Sequence, residues 1–211
     1  MTAARTRVAG LLGHISRRRT PLLLLAALLL AGATMLPLWG MILVSTQYPE
    51  GLRMVVYPAR IVGDLAEINA LNHYIGMTPI ADDFFLELRY LRPALLVLAG
   101  GLALAAVLRR ARWVAVTLLA SMAALGVAGL GAMRYRLWQF GHQLDPQAAI
   151  TIDPFTPPMI GLHQIAQFAT YSYFSWGFFL PVAAGLVVAL VVLADRRRVH
   201  QVHRRPVLAV A

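Results

Sequence analysis

The stretch from Glu67 to Met77 concentrates polar and soft-ligand side chains in a chain that is otherwise largely apolar. On a helix, Asn69 and His73 are four residues apart and share a flank, and Met77 continues that series. An imidazole together with a thioether suits Cu(I), and histidine is the commonest metal ligand in proteins. The alternative is that His73 and its neighbouring asparagines hold loops together, because buried polar groups are usually hydrogen-bonded.

A second group of candidate ligands lies later in the chain and contains His142, Met159 and His163. The spacing of the two groups alone does not predict that they meet. We take His73, Met77 and His142 as candidate metal ligands. The candidate binding residues are Asn69, Asn72, Tyr74, Met159 and His163. For His163, which stands four residues before Gln167, a polar helix face is the alternative interpretation.

Catalytic chemistry has little support in the sequence. The chain has no cysteine, which excludes disulfides, thiolate metal sites, covalent haem attachment and cysteine nucleophiles. No nucleophile and base stand at a recognisable motif spacing, and Asp82, Asp83 and Glu87 flank a predicted membrane boundary as interfacial charge. A bis-histidine haem site would need histidines within facing helices, and the apolar runs contain none. We therefore expect a protein that is not an enzyme.

The composition indicates that lipid surrounds the segments that must position these residues. Hydrophobic residues make up 59% of the 211 and charged residues 13%, whereas about a quarter are charged in an average soluble domain. All 19 basic residues are arginine, and 13 of them flank apolar runs within residues 5–19, 109–112 and 196–205. This is the positive-inside pattern of membrane proteins. We expect the lipid bilayer, and not nucleic acid, to be the partner of this charge.

Four apolar runs predict an all-α membrane protein with four transmembrane helices, at residues 21–44, 93–108, 113–133 and 174–194. The first run has 24 residues, more than the 7–15 of a signal-peptide core, so we expect a retained anchor, with a cleaved signal peptide as the alternative. The second run is short and is expected to extend into residues 84–91. The third is rich in small residues, which let helices approach closely.

The two long connections, residues 45–92 and 134–173, hold eight of the nine acidic residues and six of the 19 arginines. This asymmetry predicts that both are extracytoplasmic loops. Residues 1–20, 109–112 and 195–211 are then cytoplasmic, as a basic tail, a turn and a second tail. The expected location is the bacterial inner membrane, with both termini in the cytoplasm.

Both predicted loops are long enough to carry structure of their own. In the first, the spacing of apolar residues predicts an amphipathic helix over residues 61–75, which Gly76 would end. In the second, the prolines within residues 153–158 predict an extended stretch, and a short helix is expected over residues 161–172.

The loops also contain motifs that resemble a known family. They are the segments Gln47 to Leu52, Asn69 to Met77, Phe140 to Leu144, Pro157 to Gly161 and Phe168 to Ser172. In these segments the chain resembles a family of bacterial four-helix inner-membrane proteins, some of them associated with nitrous-oxide reductase gene clusters. The resemblance implies a setting and no mechanism: an accessory to a periplasmic copper enzyme or to its electron supply.

The function expected from the sequence is that of a non-enzymatic membrane accessory protein whose loops bind copper or a periplasmic copper protein. The cofactor is unknown, and copper is the candidate. The alternative is a cofactor-free membrane anchor or docking subunit of a quinol-linked electron-transfer complex, which would contact its partner through the aromatic second loop. A scaffold without any ligand is the third hypothesis.

Overall fold

The computed structural model describes residues 18–81, 85–108, 112–165 and 168–203. These residues form five helices and a five-stranded antiparallel sheet. The prediction of an all-α protein with four transmembrane helices is therefore wrong. The error lies in the two predicted loops and in the second half of the first apolar run, which contain the strands.

The first apolar run, predicted as one span over residues 21–44, divides into helix α1, Arg19–Ala33, and strand β1, Trp39–Val44. The helix ends where the hydroxyl of Thr34 donates to the carbonyl of Ala31 at 2.7 Å. Pro37 follows, which has no backbone N–H and disfavours helical geometry in the residue before it. With 15 residues, α1 is about 22 Å long at 1.5 Å per residue, shorter than a hydrocarbon core of about 30 Å.

Four further strands complete the sheet: β2, Leu52–Tyr57; β3, Arg60–Gly63; β4, Gly161–Ile165; and β5, Phe168–Phe174. Their order is β3-β2-β1-β5-β4. The inner strands β1 and β5, which are far apart in the chain, pair with each other, and each also pairs with a strand that is close to it in the chain. Residue 39 of β1 pairs with residue 174 of β5, and residue 44 pairs with residue 169.

Two predicted loop helices need correction. The helix expected over residues 161–172 is absent from the described residues of that segment, which form the β4–β5 hairpin. Strand β5 contains phenylalanine, tyrosine and threonine, and such residues favour strands because they pack well on a pleated surface. The helix expected over residues 61–75 is shorter: α2 spans Leu65–Tyr74, and residues 61–63 pair in β3. Gly76 follows α2 with a φ of 74°, the left-handed conformation that ends helices.

The remaining helices are α3, Leu86–Val107; α4, Arg112–His142; and α5, Trp176–His203. Within the described residues, three helices are long and apolar enough to cross a membrane, over Leu86–Val107, Trp113–His142 and Trp176–Arg196. They overlap the predicted second, third and fourth spans. Helix α1 packs against α3 and α5, and α4 also packs against α3 and α5. We call these four helices the bundle.

Two apolar cores result from this arrangement. The first lies inside the bundle, where Leu23, Leu30, Leu102 and Val188 are fully buried or nearly so. The second lies between the inner face of the sheet, α2 and the end of α4. We call the sheet together with α2 the cap, and the end of the bundle next to it the upper end. The lower end carries the ion pair between Arg19 and Asp195, at 3.5 Å.

Candidate functional site: an apolar cavity between the cap and the bundle

A cavity of about 760 Å³ lies between the cap and the upper halves of α3, α4 and α5. Its volume falls within the range of about 300–1,000 Å³ that is usual for small-molecule sites. Every layer of the protein contributes apolar side chains to its wall. They include Trp39 and Phe168 from the sheet, Leu71 from α2, Leu95 from α3, Met133 from α4 and Phe178 from α5.

The connection between sheet and bundle sets the position of the cavity. Strand β1 follows α1 after five residues, and β5 leads into α5 after one, so the two central strands continue two helices of the bundle. Ser175 N–H donates to the carbonyl of Leu38 at 2.9 Å, and Gly177 N–H donates to that of Pro37 at 2.8 Å. Alternation along β1 then directs Trp39, Met41 and Leu43 into the cap core and towards the cavity.

Helix α4 forms one wall and contacts the rest of the protein mainly near its two ends. Near the lower end Ala115 is fully buried, and near the upper end Phe140 packs against Phe85 with ring centroids 5.7 Å apart. Between these points, residues 126–131 are all exposed. Gly126 and Gly129 line the cavity, yet a Cβ built on either would meet nothing within 4 Å. The cavity is partly open, and the exposed middle of α4 forms part of its wall.

An ion pair joins α3 and α4 at the upper end. The Nε and Nη2 atoms of Arg136 both lie 2.9 Å from Oε1 of Glu87. The Nη1 atom of Arg136 donates to Gln139 Oε1 at 3.0 Å. Glu87 and Arg136 also line the cavity, so the apolar wall ends at a charge-neutral polar border.

Among the described residues, two buried side-chain polar atoms of cavity-lining residues have no hydrogen-bond partner. Asn72 is 5% exposed, and its Nδ2 atom is buried without a partner. The second atom is Oε2 of Glu87, which is also buried without a partner. Thr170, a third polar residue of the wall, differs from both because its hydroxyl donates to the carbonyl of His163 at 3.2 Å.

The three candidate metal ligands lie in different surroundings. His73 is exposed in the last turn of α2. Met77 is half-buried, packs on the cap core and lines the cavity. His142 is exposed, and its ring stacks on that of Trp138 at 4.7 Å, with Nδ1 3.0 Å from the Trp138 carbonyl. Among the described residues, no group of three or more histidine, cysteine, aspartate or glutamate side chains is placed to hold a metal ion.

The candidate binding residues divide between structural contacts and the cavity. Asn69 bonds twice to the backbone of Ile80, and the carbonyl of Met159 accepts from Trp39 Nε1 at 2.7 Å. The ring of His163 stacks on Phe155 with centroids 5.9 Å apart. Tyr74 is exposed on the surface of α2. Asn72 is the member of this set that lines the cavity.

The two predicted loops meet, which their sequences did not predict. Asp145 N–H donates to the carbonyl of Gly76 at 2.8 Å, and Ile150 N–H donates to that of Tyr74 at 2.9 Å. The segment after α4 is thereby fixed to the end of α2. These bonds use backbone atoms, and no side-chain pattern in either loop announces them.

The residues at the cavity border and in the glycine-rich wall were not predicted as site residues. From the sequence, Glu87 was interpreted as interfacial charge and Arg136 was not selected. Opposite charges at the ends of two neighbouring apolar spans were the available signal for this pair. The glycines of the third span were interpreted as packing residues, whereas Gly126 and Gly129 lie where α4 has no close neighbour.

Comparison with known proteins adds no relative to this picture. No protein-family model matches the chain, and no curated protein matches it significantly.

Proposed function

We propose that this protein is a non-enzymatic integral membrane protein that binds a lipid-like molecule in the cavity between the cap and the bundle. The observation that carries the proposal is a partly open apolar cavity of about 760 Å³ whose wall includes the exposed middle of a helix long and apolar enough to cross a membrane. In a bilayer that part of α4 would face hydrocarbon. A lipid-like molecule could then reach the cavity without crossing water.

The charge distribution supports one orientation of the chain in the inner membrane. Along the chain, the three arginine clusters fall before and at the start of α1, between α3 and α4, and late in α5 and beyond it, whereas eight of the nine acidic residues fall within residues 45–92 and 134–173. Under the positive-inside rule the lower end is cytoplasmic and the cap is extracytoplasmic. In this arrangement α3, α4 and α5 cross the bilayer, and α1 inserts between them from the cytoplasmic side.

Copper handling beside a periplasmic copper protein stays a prediction from the sequence. The separate surroundings of His73, Met77 and His142 add no support for a shared metal site. Docking to a quinol-linked electron-transfer complex also stays a prediction. The cavity is observed in the folded chain, so we place lipid binding above both of these hypotheses.

Filling the cavity from α4 tests the proposal. Gly129→Leu places a side chain on the cavity wall where nothing lies within 4 Å. Gly131→Leu adds the same side chain in open space on the same helix, at a residue outside the cavity wall. Both substitutions replace glycine by a better helix former, so both variants should fold.

The measurement is mass spectrometry of lipids extracted from protein purified in a mild detergent. We expect a lipid at near-stoichiometric amount in the unmodified protein and in Gly131→Leu, and at least fivefold less in Gly129→Leu. Equal lipid content in Gly129→Leu and the unmodified protein would contradict the proposal. So would the absence of any retained lipid from the unmodified protein.

A further inference from the structure

The side chains that line the cavity decide which part of a lipid can enter it. Among the described residues of the wall, six have a nitrogen or oxygen atom in the side chain, and the others are apolar or glycine. The six are Trp39, Asn72, Glu87, Tyr90, Arg136 and Thr170.

Two of these polar side chains donate their proton to a backbone carbonyl of the protein. The Nε1 atom of Trp39 donates to the carbonyl of Met159 at 2.7 Å. The hydroxyl of Thr170 donates to the carbonyl of His163 at 3.2 Å. Neither donor is therefore free to bind a molecule in the cavity.

The other four polar side chains also offer little to a bound molecule. Glu87 and Arg136 form an ion pair with each other, at 2.9 Å, so their charges are compensated. Asn72 is 5% exposed, and its Nδ2 atom is buried, so a molecule in the cavity does not reach that atom. Tyr90 is 69% exposed, so the protein encloses little of it.

Such a wall favours hydrocarbon over a head group. A polar group that enters the cavity loses its hydrogen bonds to water or to lipid head groups and regains few, and a charged group loses more. A hydrocarbon chain has no such loss, because the bilayer interior that it leaves is as apolar as the wall. The chain is therefore the part of a lipid that fits the cavity.

Methionine is frequent in the wall. Five of the chain's eight methionines line the cavity, from the sheet, the segment after α2 and helix α4: Met41, Met54, Met77, Met122 and Met133. Methionine is unbranched and has three rotatable side-chain bonds, so it fills irregular gaps and adjusts to different shapes. A wall of this kind can adapt to chains of more than one shape.

We propose, on the basis of the lipid binding proposed above, that the cavity holds the hydrocarbon chain of a lipid and leaves the head group outside. The methionines adapt the wall to straight chains and to chains bent by a double bond. Lipids that differ only in their head group are then equivalent ligands.

Quenching of Trp39 fluorescence by brominated acyl chains tests the proposal on the full-length protein in nanodiscs. Trp39 lines the cavity, and bromine quenches tryptophan at short range. The other three tryptophans, which are exposed, are replaced by phenylalanine so that Trp39 is the single reporter: Trp113, Trp138 and Trp176. Phosphatidylcholine, phosphatidylglycerol and diacylglycerol with the same dibrominated chains provide zwitterionic, anionic and uncharged head groups.

The three brominated lipids should reach half-maximal quenching at mole fractions within about threefold of one another, because the wall does not contact the head group. Gly129→Leu should reduce quenching by all three lipids relative to its matched control, Gly131→Leu, since only residue 129 lines the cavity. A difference of about tenfold or more between head groups would overturn the proposal.

Three displacing molecules with the same number of carbons test which chains enter: octadecane, which is straight, cis-9-octadecene, which is bent, and 1,18-octadecanediol, which has a hydroxyl at each end. At equal mole fractions in the bilayer, the two hydrocarbons should restore Trp39 fluorescence equally, and the diol should do so about tenfold less well. Equal displacement by the diol would overturn the exclusion of polar groups.

The role of the methionines is tested by combining Met41→Leu with Met133→Leu, which nearly conserves side-chain volume but introduces branched side chains. In this variant cis-9-octadecene should displace the brominated chain about fivefold less well than octadecane. Equal displacement by the two hydrocarbons in the variant would show that these methionines do not adapt the wall.

The proposal and the proposed function fail in different ways. Head-group selection, or entry of the diol, would leave lipid binding intact as long as Gly129→Leu still quenches less than Gly131→Leu. Equal quenching of Trp39 in Gly129→Leu and Gly131→Leu, together with no co-purifying lipid, would contradict the proposed function itself.

Discussion

Asn69 and Asn72 lie three residues apart on α2 and have different roles. The side-chain amide of Asn69 donates to the carbonyl of Ile80 at 2.9 Å and accepts from its N–H at 2.7 Å. It thereby holds the segment after α2 against the helix, where Ile80 joins the cap core. Asn72 lines the cavity instead, and among the described residues its Nδ2 atom has no hydrogen-bond partner. The hydrogen-bond explanation offered for the asparagines thus describes Asn69 well.

Asn69→Ala should destabilise the cap by about 2 kcal/mol, because it leaves two backbone groups of Ile80 without partners. His73→Ala, at an exposed position of the same helix, should change stability by less than about 0.5 kcal/mol. Unfolding in urea, followed by tryptophan fluorescence in detergent, measures both. Identical midpoints for Asn69→Ala and His73→Ala would show that the Asn69 contact does not stabilise the cap.

At the scale of elements, α4 combines a close approach at its upper end with open space in its middle. The N–H of Phe155 donates to the carbonyl of Gly141 at 3.0 Å, and a Cβ at position 141 would overlap the carbonyl oxygen of Phe155. Only glycine lets the segment after α4 pack this closely. The same helix has nothing within 4 Å of a Cβ at Gly131.

Gly141→Ala should displace the segment that carries Phe155 and lower the free energy of unfolding by about 1–3 kcal/mol, as overpacking does. Gly131→Ala should raise it by about 0.5–1 kcal/mol, because alanine favours a helix over glycine. Melting temperatures in the same detergent compare the two. A stabilised Gly141→Ala would mean that this close approach does not exist.

At the scale of the whole molecule, the ion pair between Arg19 and Asp195 lies at the lower end of the bundle, and the cap lies at the opposite end. The proposed topology puts Glu50 and Gln147, both exposed on the cap side, outside the cytoplasm. The same proposed topology puts Ser16, within the basic N-terminal tail of the sequence, in the cytoplasm. The chain has no cysteine, so single cysteines can be placed without any background.

A membrane-impermeant thiol reagent applied to intact spheroplasts should label Glu50→Cys and Gln147→Cys but not Ser16→Cys, because the reagent reaches only the outer face. Permeabilised cells should label all three and serve as the accessibility control. Labelling of Ser16→Cys alone in intact spheroplasts would invert the proposed orientation.

The long apolar segments and the arginine-rich segments can be read from the sequence, because membrane insertion depends on segment length, composition and flanking charge. Three helices long and apolar enough to cross a membrane overlap predicted spans. The sequence did not reveal that Trp39–Val44 leaves the first helix as a strand. Both faces of this strand are apolar, so its hydrophobic pattern cannot be distinguished from that of a buried helix segment.

The sheet, the cavity and the contacts at its border depend on contacts between residues that are far apart in the sequence. Strand β1 pairs with β5, more than 120 residues later in the chain, and such pairing depends on a partner that local patterns do not specify. Glu87 and Arg136 are 49 residues apart and meet only when α3 and α4 align. Asn69 and Asn72 look equivalent in sequence. Their difference arises because one faces the backbone of Ile80 and the other faces an apolar space that several distant segments enclose together.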